Sequence, residues 1–499
     1  RICESRSCVG MFMAMLDIQI VASSLTQIQA GLAASADEIV WVQTSYLIAE
    51  TVMIPLSSFL TRALSFRVAV SLSCAGFTIA SILCACASNI SEMILFRTLQ
   101  GFIGGVMVPS VYGAAYKVFG HKDMAKGSTI MALILTLAPM AGPTLGGWLT
   151  DTFSWHWLFL INIVPGIIVT MGIWSIGQLD LPDIKLLGKM DIAGLVLMAL
   201  FLGSLSYVLE EGARQSWFDD DTIRLWSFVT VISGVGLFWR LAVAEEPLIR
   251  LETFRDFNFT AGTLLSSMAG AAMYGTIFLN PLFLARVGQL SSSQIGNILF
   301  VSGAVMLLMG PLSGWLAKNK DARVLISIGF VLVAISSWMC YEMTVDWRFN
   351  EMFWPQVWRS AGLMLVLPAI MTTAFVTLPP HLSTDGAALM PLIRNLGGAF
   401  GIAIFNTMLL TRSNLHWTRL ADEINPAREV VVERLAMLKS LAIEQGLPDP
   451  DASVLRQLGQ EVGRQALAMG FADCFFALAV MMILIACVPW LLSRGPQAA

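Results

Sequence analysis

The sequence predicts an all-α membrane protein of about fourteen transmembrane helices. Three observations carry that prediction: a shortage of charge, a series of apolar stretches of bilayer length, and mostly short connections between them. Of 499 residues, 56% are hydrophobic and only 13% are charged, against roughly 25% charged in a soluble domain. A water-soluble chain of this length would lack the charge to cover its surface. A lipid solvent removes that conflict.

A span needs about 20 predominantly apolar residues. Such stretches lie near 9–29, 39–60, 68–88, 93–115, 129–149, 156–177, 191–210, 222–242, 257–285, 293–316, 323–344, 354–378, 385–411 and 465–492. Short loops make sequential helices antiparallel neighbours. The exception is the stretch 412–464, read as a long external loop of mixed charge. Residues 1–8 form a short polar leader without a cleavage pattern, which points to a truncated or processed start.

Lys and Arg in the short loops set the orientation. Arg62, Arg67, Lys117, Lys122, Lys126, Lys185, Lys189, Arg240, Arg250, Arg255, Lys318, Lys320 and Arg323 fall on one side. Only Arg214, Arg224, Arg286 and Arg348 fall in short loops on the other. The first side is expected to be cytoplasmic, with both termini on it. The net charge of −4 and the lack of a basic block argue against nucleic acid as a partner.

The halves echo each other. PLSSFLTRALSFR (55–67) parallels PLSGWLAKNKDAR (311–323), and RTLQGFIGGVMVP (97–109) parallels RSAGLMLVLP (359–368). Internal repeats of this kind mark secondary transporters, whose sites lie between two halves near the bilayer midplane.

Ionisable groups inside spans are costly and therefore candidate functional groups. Asp17 lies midway along the first span and Glu50 along the second, where Gln43, Tyr46 and Glu50 share one helical face. Arg97, Arg359 and Arg394 lie in spans four, twelve and thirteen. Two readings stay open for the acids: proton coupling or cation attraction in a cavity, or a structural pair with Arg97. Arg359 is equally open to a functional and a packing role. Gln43, Tyr46 and Arg394 are candidate cavity residues. Gly398 and Gly401 follow Arg394, and Gly101, Gly104 and Gly105 follow Arg97, so both faces permit close helix approach.

The fifth span reads LAPMAGPTLGGW (137–148), with Ala138, Gly142 and Gly146 at four-residue spacing and Pro143 among them. Small residues at that spacing let helices pack backbone to backbone, and Pro143 removes a helical hydrogen bond. The stretch is either a hinge and seal or ordinary tight packing. Trp148, Trp155 and Trp157 are placed as an interfacial belt.

Enzymatic signatures are missing: no P-loop, no GxSxG elbow with partners and no dinucleotide fingerprint. The eight cysteines make no CxxC pair, and the four histidines no HExxH. Neither a metal nor a cofactor is expected.

APMAGPTLGGWLTDTFSWHWLFLINIVPG (138–166) resembles the antiporter motif of the fourteen-span drug:proton antiporters of the major facilitator superfamily, the EmrB/QacA type. MLDIQIVASSLTQIQ (15–29), WVQTSYLIAETVMIPLSSFL (41–60), ILFRTLQGFIGGVMVPS (94–110) and PLIRLETFRDFNFTAG (247–262) extend the likeness along nearly the whole chain. The resemblance implies a major facilitator fold: a six-helix bundle (1–178), two additional central helices with a linker (179–256), and a second bundle (257–499). It implies export of lipophilic or amphipathic compounds in exchange for protons, or of a dedicated metabolite such as a siderophore or fatty acid. It also implies residence in a bacterial inner membrane, and a periplasmic adaptor and outer-membrane channel as partners. By position, Asp17 matches the first-span acid, Arg97 the fourth-span arginine, and Gly142, Pro143, Gly146 and Gly147 the antiporter motif. Ser58, Thr61 and Ser65 stand where the superfamily's second loop carries Gly, Asp and Gly, so a gate using that aspartate is in doubt. An uptake symporter and a non-transporting sensor are the rival readings. The 412–464 stretch either docks the adaptor or caps the external mouth.

Overall fold

The computed structural model describes residues 2–35, 38–111, 134, 137–138, 141–142, 144–175, 182–189, 191–244, 250–379, 382–424, 428–444 and 449–492. Among them, secondary structure is helical throughout. The chain runs α1 (Ile2–Ser23), α2 (Trp41–Leu64), α3 (Phe66–Ala85), α4 (Ile90–Gly104, resuming to Val111), α5 (residues 144–152) and α6 (Trp157–Trp174). It continues through α7 (Ile192–Glu211), α8 (Asp221–Val243), α9 (Phe257–Arg286), α10 (Ser292–Asn319), α11 (Ala322–Tyr341) and α12 (Phe349–Val376). The last elements are α13 (Ser383–Glu423), α14 (Glu429–Glu444) and α15 (Pro450–Ile485).

Local chemistry sets many of the boundaries. Asn89 caps α4 by accepting the Glu92 amide, Asp220 caps α8, Asp256 caps α9, and Ser291 with Gln294 forms a capping box on α10. Asp191 caps α7 through the Gly194 amide and pairs with Arg240 of α8 at 2.9 Å. Burial pushes the Asp191 carboxyl up, but the bonds from Arg240 and Gly194 outweigh it and hold it below its ordinary value. In α6 the helix breaks at Ile161 and Asn162. Pro165, four residues beyond Ile161, cannot bond to its carbonyl and crowds it.

Twelve described helices are long and apolar enough to cross a bilayer, against the fourteen expected. The difference lies at two places. In α1 only the shorter segment Val9–Ala22 is apolar, because the polar leader forms the rest of that helix. Much of the first part of the fifth expected span, with Pro139 and Pro143, falls outside the described residues. The expected loop 412–464 is also different: it is largely helical. α13 has 41 residues and α15 has 36. At about 1.5 Å rise per residue, both are far longer than a core of about 30 Å. Their ends therefore project on one side, where α14 packs on α15 through Leu435, Leu438 and Val454 and Lys439 pairs with Asp451 at 2.6 Å.

Packing follows the small residues. α2 packs on α4, where a Cβ at Gly101 would stand 2.3 Å from the Tyr46 carbonyl oxygen and one at Gly105 would stand 2.9 Å from that of Glu50. α9 packs on α13, and Cβ atoms at Gly270 and Gly397 would stand 2.1 Å from the Arg394 carbonyl and 2.2 Å from the Ser267 carbonyl. The close approach expected around Arg97 and Arg394 is thus present. α7 lies against both α2 and α13, and α8 packs on α7. Trp41 stacks on Tyr207 at 5.5 Å, and the Trp217 indole donates to Thr407 at 2.9 Å, so α7 touches α2 and the α7–α8 turn touches α13.

Of the tryptophans expected at the interface, Trp148 and Trp157 are exposed, whereas Trp155 is buried against Gly31 and stacks on His156.

Gly101→Ala should destabilise the full chain by about 1–3 kcal/mol, since the new methyl meets backbone that cannot yield locally. Gly459→Ala, where nothing lies within 4 Å, should stabilise by up to about 1 kcal/mol through helix propensity alone. Thermal melts in detergent read both; equal shifts would contradict the packing assigned to α2 and α4.

Candidate functional site

Arg97 on α4 and Asp17 on α1 meet in the helical core, 0% and 1% exposed. The Arg97 Nη1 donates to Asp17 Oδ2 at 2.6 Å and to Gln100 Oε1 at 2.6 Å, while its Nε donates to the Val42 carbonyl at 3.1 Å. Gln100, one turn further along α4, turns its amide nitrogen to Asp17 Oδ1 at 3.2 Å and to Ser81 Oγ of α3 at 2.8 Å. Asn162, at the break in α6, donates to Asp17 Oδ1 at 2.6 Å. One carboxylate is therefore held by three side chains, and one guanidinium by four groups if the ring of Tyr46 is included. That ring lies 4.2 Å from the guanidinium carbon, a cation–π distance.

The local folding explains the convergence. Gly101 and Gly105 bring α4 down onto α2, which sets the Val42 carbonyl and Tyr46 ring beside Arg97. The break in α6 turns Asn162 inward. A buried ion pair is tolerated when most of its remaining donors and acceptors are satisfied: both Asp17 oxygens are, while the Arg97 Nη2 is buried without a hydrogen-bond partner among the described residues. Chemically, the site is a carboxylate whose protonation would cancel the charge that holds Arg97. The pair is also the alternative partner that the sequence leaves open for Asp17.

Glu50 is buried one turn beyond Tyr46 and lies within Coulomb reach of Arg97 and Asp17. Its Oε1, the Tyr46 hydroxyl and the Gln43 Oε1 are buried without a hydrogen-bond partner among the described residues. The polar stripe expected on α2 is therefore real but faces inward, with Tyr46 under Arg97. Buried polar atoms left in this state are costly. Arg394 is buried on α13, with its backbone pressed on Gly270; the structure does not bring it to the Asp17 network.

The antiporter motif divides. Gly142 faces α1, where a Cβ would stand 2.3 Å from that of Gln19. Gly146 and Gly147 offer their carbonyls to the Thr150 hydroxyl at 2.9 and 3.0 Å. Pro143 lies outside the described residues. The motif's contact with α10 is made by Thr144, whose Oγ1 would stand 2.5 Å from a Cβ at Gly296.

Two clusters were not anticipated. Gln100, Ser81 and Asn162 complete the Asp17 network; only Gln100, three residues from Arg97, carries a spacing signal. Asp385, buried in the first turn of α13, lies 3.7 Å from Arg62 of α2 and 3.8 Å from Arg250 ahead of α9. That carboxylate faces the end of α2 that carries Arg62.

The comparisons agree with this architecture. The family model described as Major Facilitator Superfamily matches residues 7–402. "Colistin resistance protein EmrB" of Acinetobacter baumannii is 39% identical over 98% of this chain and 95% of its own. "Fatty acid resistance protein FarB" of Neisseria gonorrhoeae is 27% identical, covering 97% and 94%. "Multidrug export protein EmrB" of Escherichia coli K12 is 26% identical, covering 96% and 92%. The solved structure of the proton:xylose symporter XylE superposes with a TM-score of 0.62 at 11% identity, covering 99% of this chain and 97% of that one, which speaks for the fold alone. The long apolar helices, the matched family model and a 39% identical full-length relative together show that this chain is an integral membrane protein belonging to the Major Facilitator Superfamily.

Proposed function

We propose that this chain is a proton-coupled multidrug exporter that moves lipophilic or amphipathic compounds outward by alternating access. The observation that carries the reading is Asp17, a fully enclosed carboxylate bonded at once to Arg97, Gln100 and Asn162. The three export and resistance relatives support the substrate class. A dedicated exporter of a fatty acid on the same fold is the second reading, favoured by the full-length likeness to FarB.

In this scheme the fold has fourteen spans. Two six-helix bundles, 1–178 and 257–499, flank α7 and α8 in the 179–256 segment. The chain sits in a bacterial inner membrane with both termini cytoplasmic. The projecting ends of α13 and α15, with α14, stand on the periplasmic side and are the surface a periplasmic adaptor would meet before an outer-membrane channel.

Each step follows from the residues. A proton arriving at Asp17 neutralises the acceptor of Arg97 Nη1. Arg97 keeps its bonds to Gln100 and Val42 and its place over Tyr46, but its charge then lacks a counter-charge, which disfavours this state and drives the change to the other. Glu50, with an unpartnered buried oxygen nearby, is the second proton-accepting group. Gly142 holds the fifth span against the first, and with Pro143, Gly146 and Gly147 it forms the proposed antiporter motif. Thr144 carries motion there to α10. Asp385 ties α13 to Arg62 and Arg250 in this state and must part from them when the halves rock. Gln43, Tyr46 and Arg394 are the proposed cavity residues.

Asp17→Asn should abolish substrate-driven proton release in proteoliposomes while leaving the chain folded; unchanged release would remove the coupling role. Arg97→Lys should lower transport about tenfold or more, because an ammonium cannot reproduce the planar fork that reaches Asp17, Gln100 and Val42 together. A susceptibility and accumulation panel in a pump-deficient host separates the two substrate readings.

Asp385→Asn should speed amide hydrogen exchange over residues 60–66 and 382–390, near the two termini it joins. Exchange there at the wild-type rate would show that Asp385 holds nothing together.

A further inference from the structure

Arg359 on α12 occupies the place that the internal echo pairs with Arg97, yet its surroundings differ in one respect. Its Nη1 donates to Thr276 Oγ1 of α9 at 3.1 Å, and its Nη2 to Ser302 Oγ of α10 at 2.7 Å and to Gln356 Oε1. Ser302 in turn donates to Gln356 at 2.6 Å. Every one of these acceptors is neutral. Among the described residues no carboxylate bonds to or pairs with Arg359, and its Nε is buried without a partner.

The position makes that a problem of charge. Thr276 is ten residues before the end of α9, Ser302 ten after the start of α10, and Arg359 ten after the start of α12, all at the same end of the bundle. Ten residues are about 15 Å of helix, which sets Thr276 and Ser302 well inside the apolar stretches 257–285 and 293–316, and the Arg359 guanidinium reaches them there. It is 6% exposed, and Thr276, Ser302 and Gln356 are 1%, 5% and 1% exposed. An arginine does not shed its proton in a protein, and a desolvated charge without a counter-charge costs several kcal/mol. Hydroxyls and an amide satisfy hydrogen bonds but leave that charge uncancelled. Three hydrogen bonds are made by a group with five N–H donors, so donors remain for one more acceptor.

We infer that Arg359, with Thr276, Ser302 and Gln356, forms an anion site that takes the carboxylate or similar single-charged head of an amphiphile. The planar fork suits a carboxylate, and the lipophilic tail follows from the substrate class of the exporter proposed above. The head group has two sources, a substrate in transit or an anionic lipid. The site names a substrate class for the exporter proposed above and rests on that reading for its use. Its test reads binding alone, so failure of transport and failure of the site are separate results.

The probe is decanoate, with decyltrimethylammonium as its matched cation, titrated onto the purified full chain in phosphatidylcholine nanodiscs and in nanodiscs containing phosphatidylglycerol. Thr276→Asp supplies an internal counter-charge where the site has only a hydroxyl. It should weaken decanoate binding tenfold or more, leave the cation unaffected and raise the melting temperature. Arg359→Gln should lose decanoate to the same extent, and Arg359→Lys should lose less. If wild-type binding appears in phosphatidylcholine and persists with phosphatidylglycerol, the site takes the free anion. If phosphatidylglycerol competes it away, the site takes the lipid head, and the site itself stands in both cases. Decanoate binding that is equal in wild type, Thr276→Asp and Arg359→Gln overturns the proposal. So does a loss of the cation in step with the anion.

Discussion

The buried pair of Asp17 and Arg97 is the interaction on which the rest of the first half depends. Two charges removed from water are stable only if their attraction and every remaining bond offset the lost hydration. That condition recruits α1, α2, α3, α4 and α6 at once, through Asp17, the Val42 carbonyl, Ser81, Gln100 and Asn162. It also explains why α4 carries glycines where it crosses α2: a wider separation would take Arg97 away from the Val42 carbonyl and the Tyr46 ring. In the proposed scheme the same pair is the switch. One proton on Asp17 would remove the attraction of opposite charge that positions Arg97.

The two arginine centres show how repetition and divergence coexist. Arg97 and Arg359 stand in echoing segments, each with a glutamine three residues away, Gln100 after the first and Gln356 before the second. The first has a carboxylate from α1; the second has Thr276 from α9. Tight packing echoes as well, since α1 meets the fifth span at Gly142 and α9 meets α13 at Gly270, Gly397 and Gly401. Backbone geometry is thus kept where helices must approach, while the chemistry at the charged centre differs. The α7–α8 pair adds a third component, touching α2 through Trp41 and α13 through Thr407.

Much of this was legible because membrane insertion penalises charge so strongly that Asp17, Glu50, Arg97 and Arg394 stand out in a plain reading of the spans. Small residues at four-residue spacing forecast close approach around Arg97 and Arg394 for a similarly local reason. Asn162 was not legible: an asparagine inside LINIVPG has no periodic signal, and its direction depends on the break ahead of Pro165. Asp385 was not legible either, because its partners Arg62 and Arg250 come from distant parts of the chain. The stretch 412–464 misled because mixed charge reads as a loop, although helices that leave the bilayer need charged faces.

By itself the sequence determined the solvent, the helical class, the approximate spans and the acids and arginines that matter. All of these follow from composition and spacing along one chain in an apolar medium. Only the tertiary structure decided which charges meet. Asp17 is neutralised by Arg97 across 80 positions, whereas among the described residues Arg359 meets only neutral oxygens from Thr276, Ser302 and Gln356. The physical reason is that partner choice depends on which faces of separate helices are pressed together. Those contacts are set by packing, which no local pattern encodes.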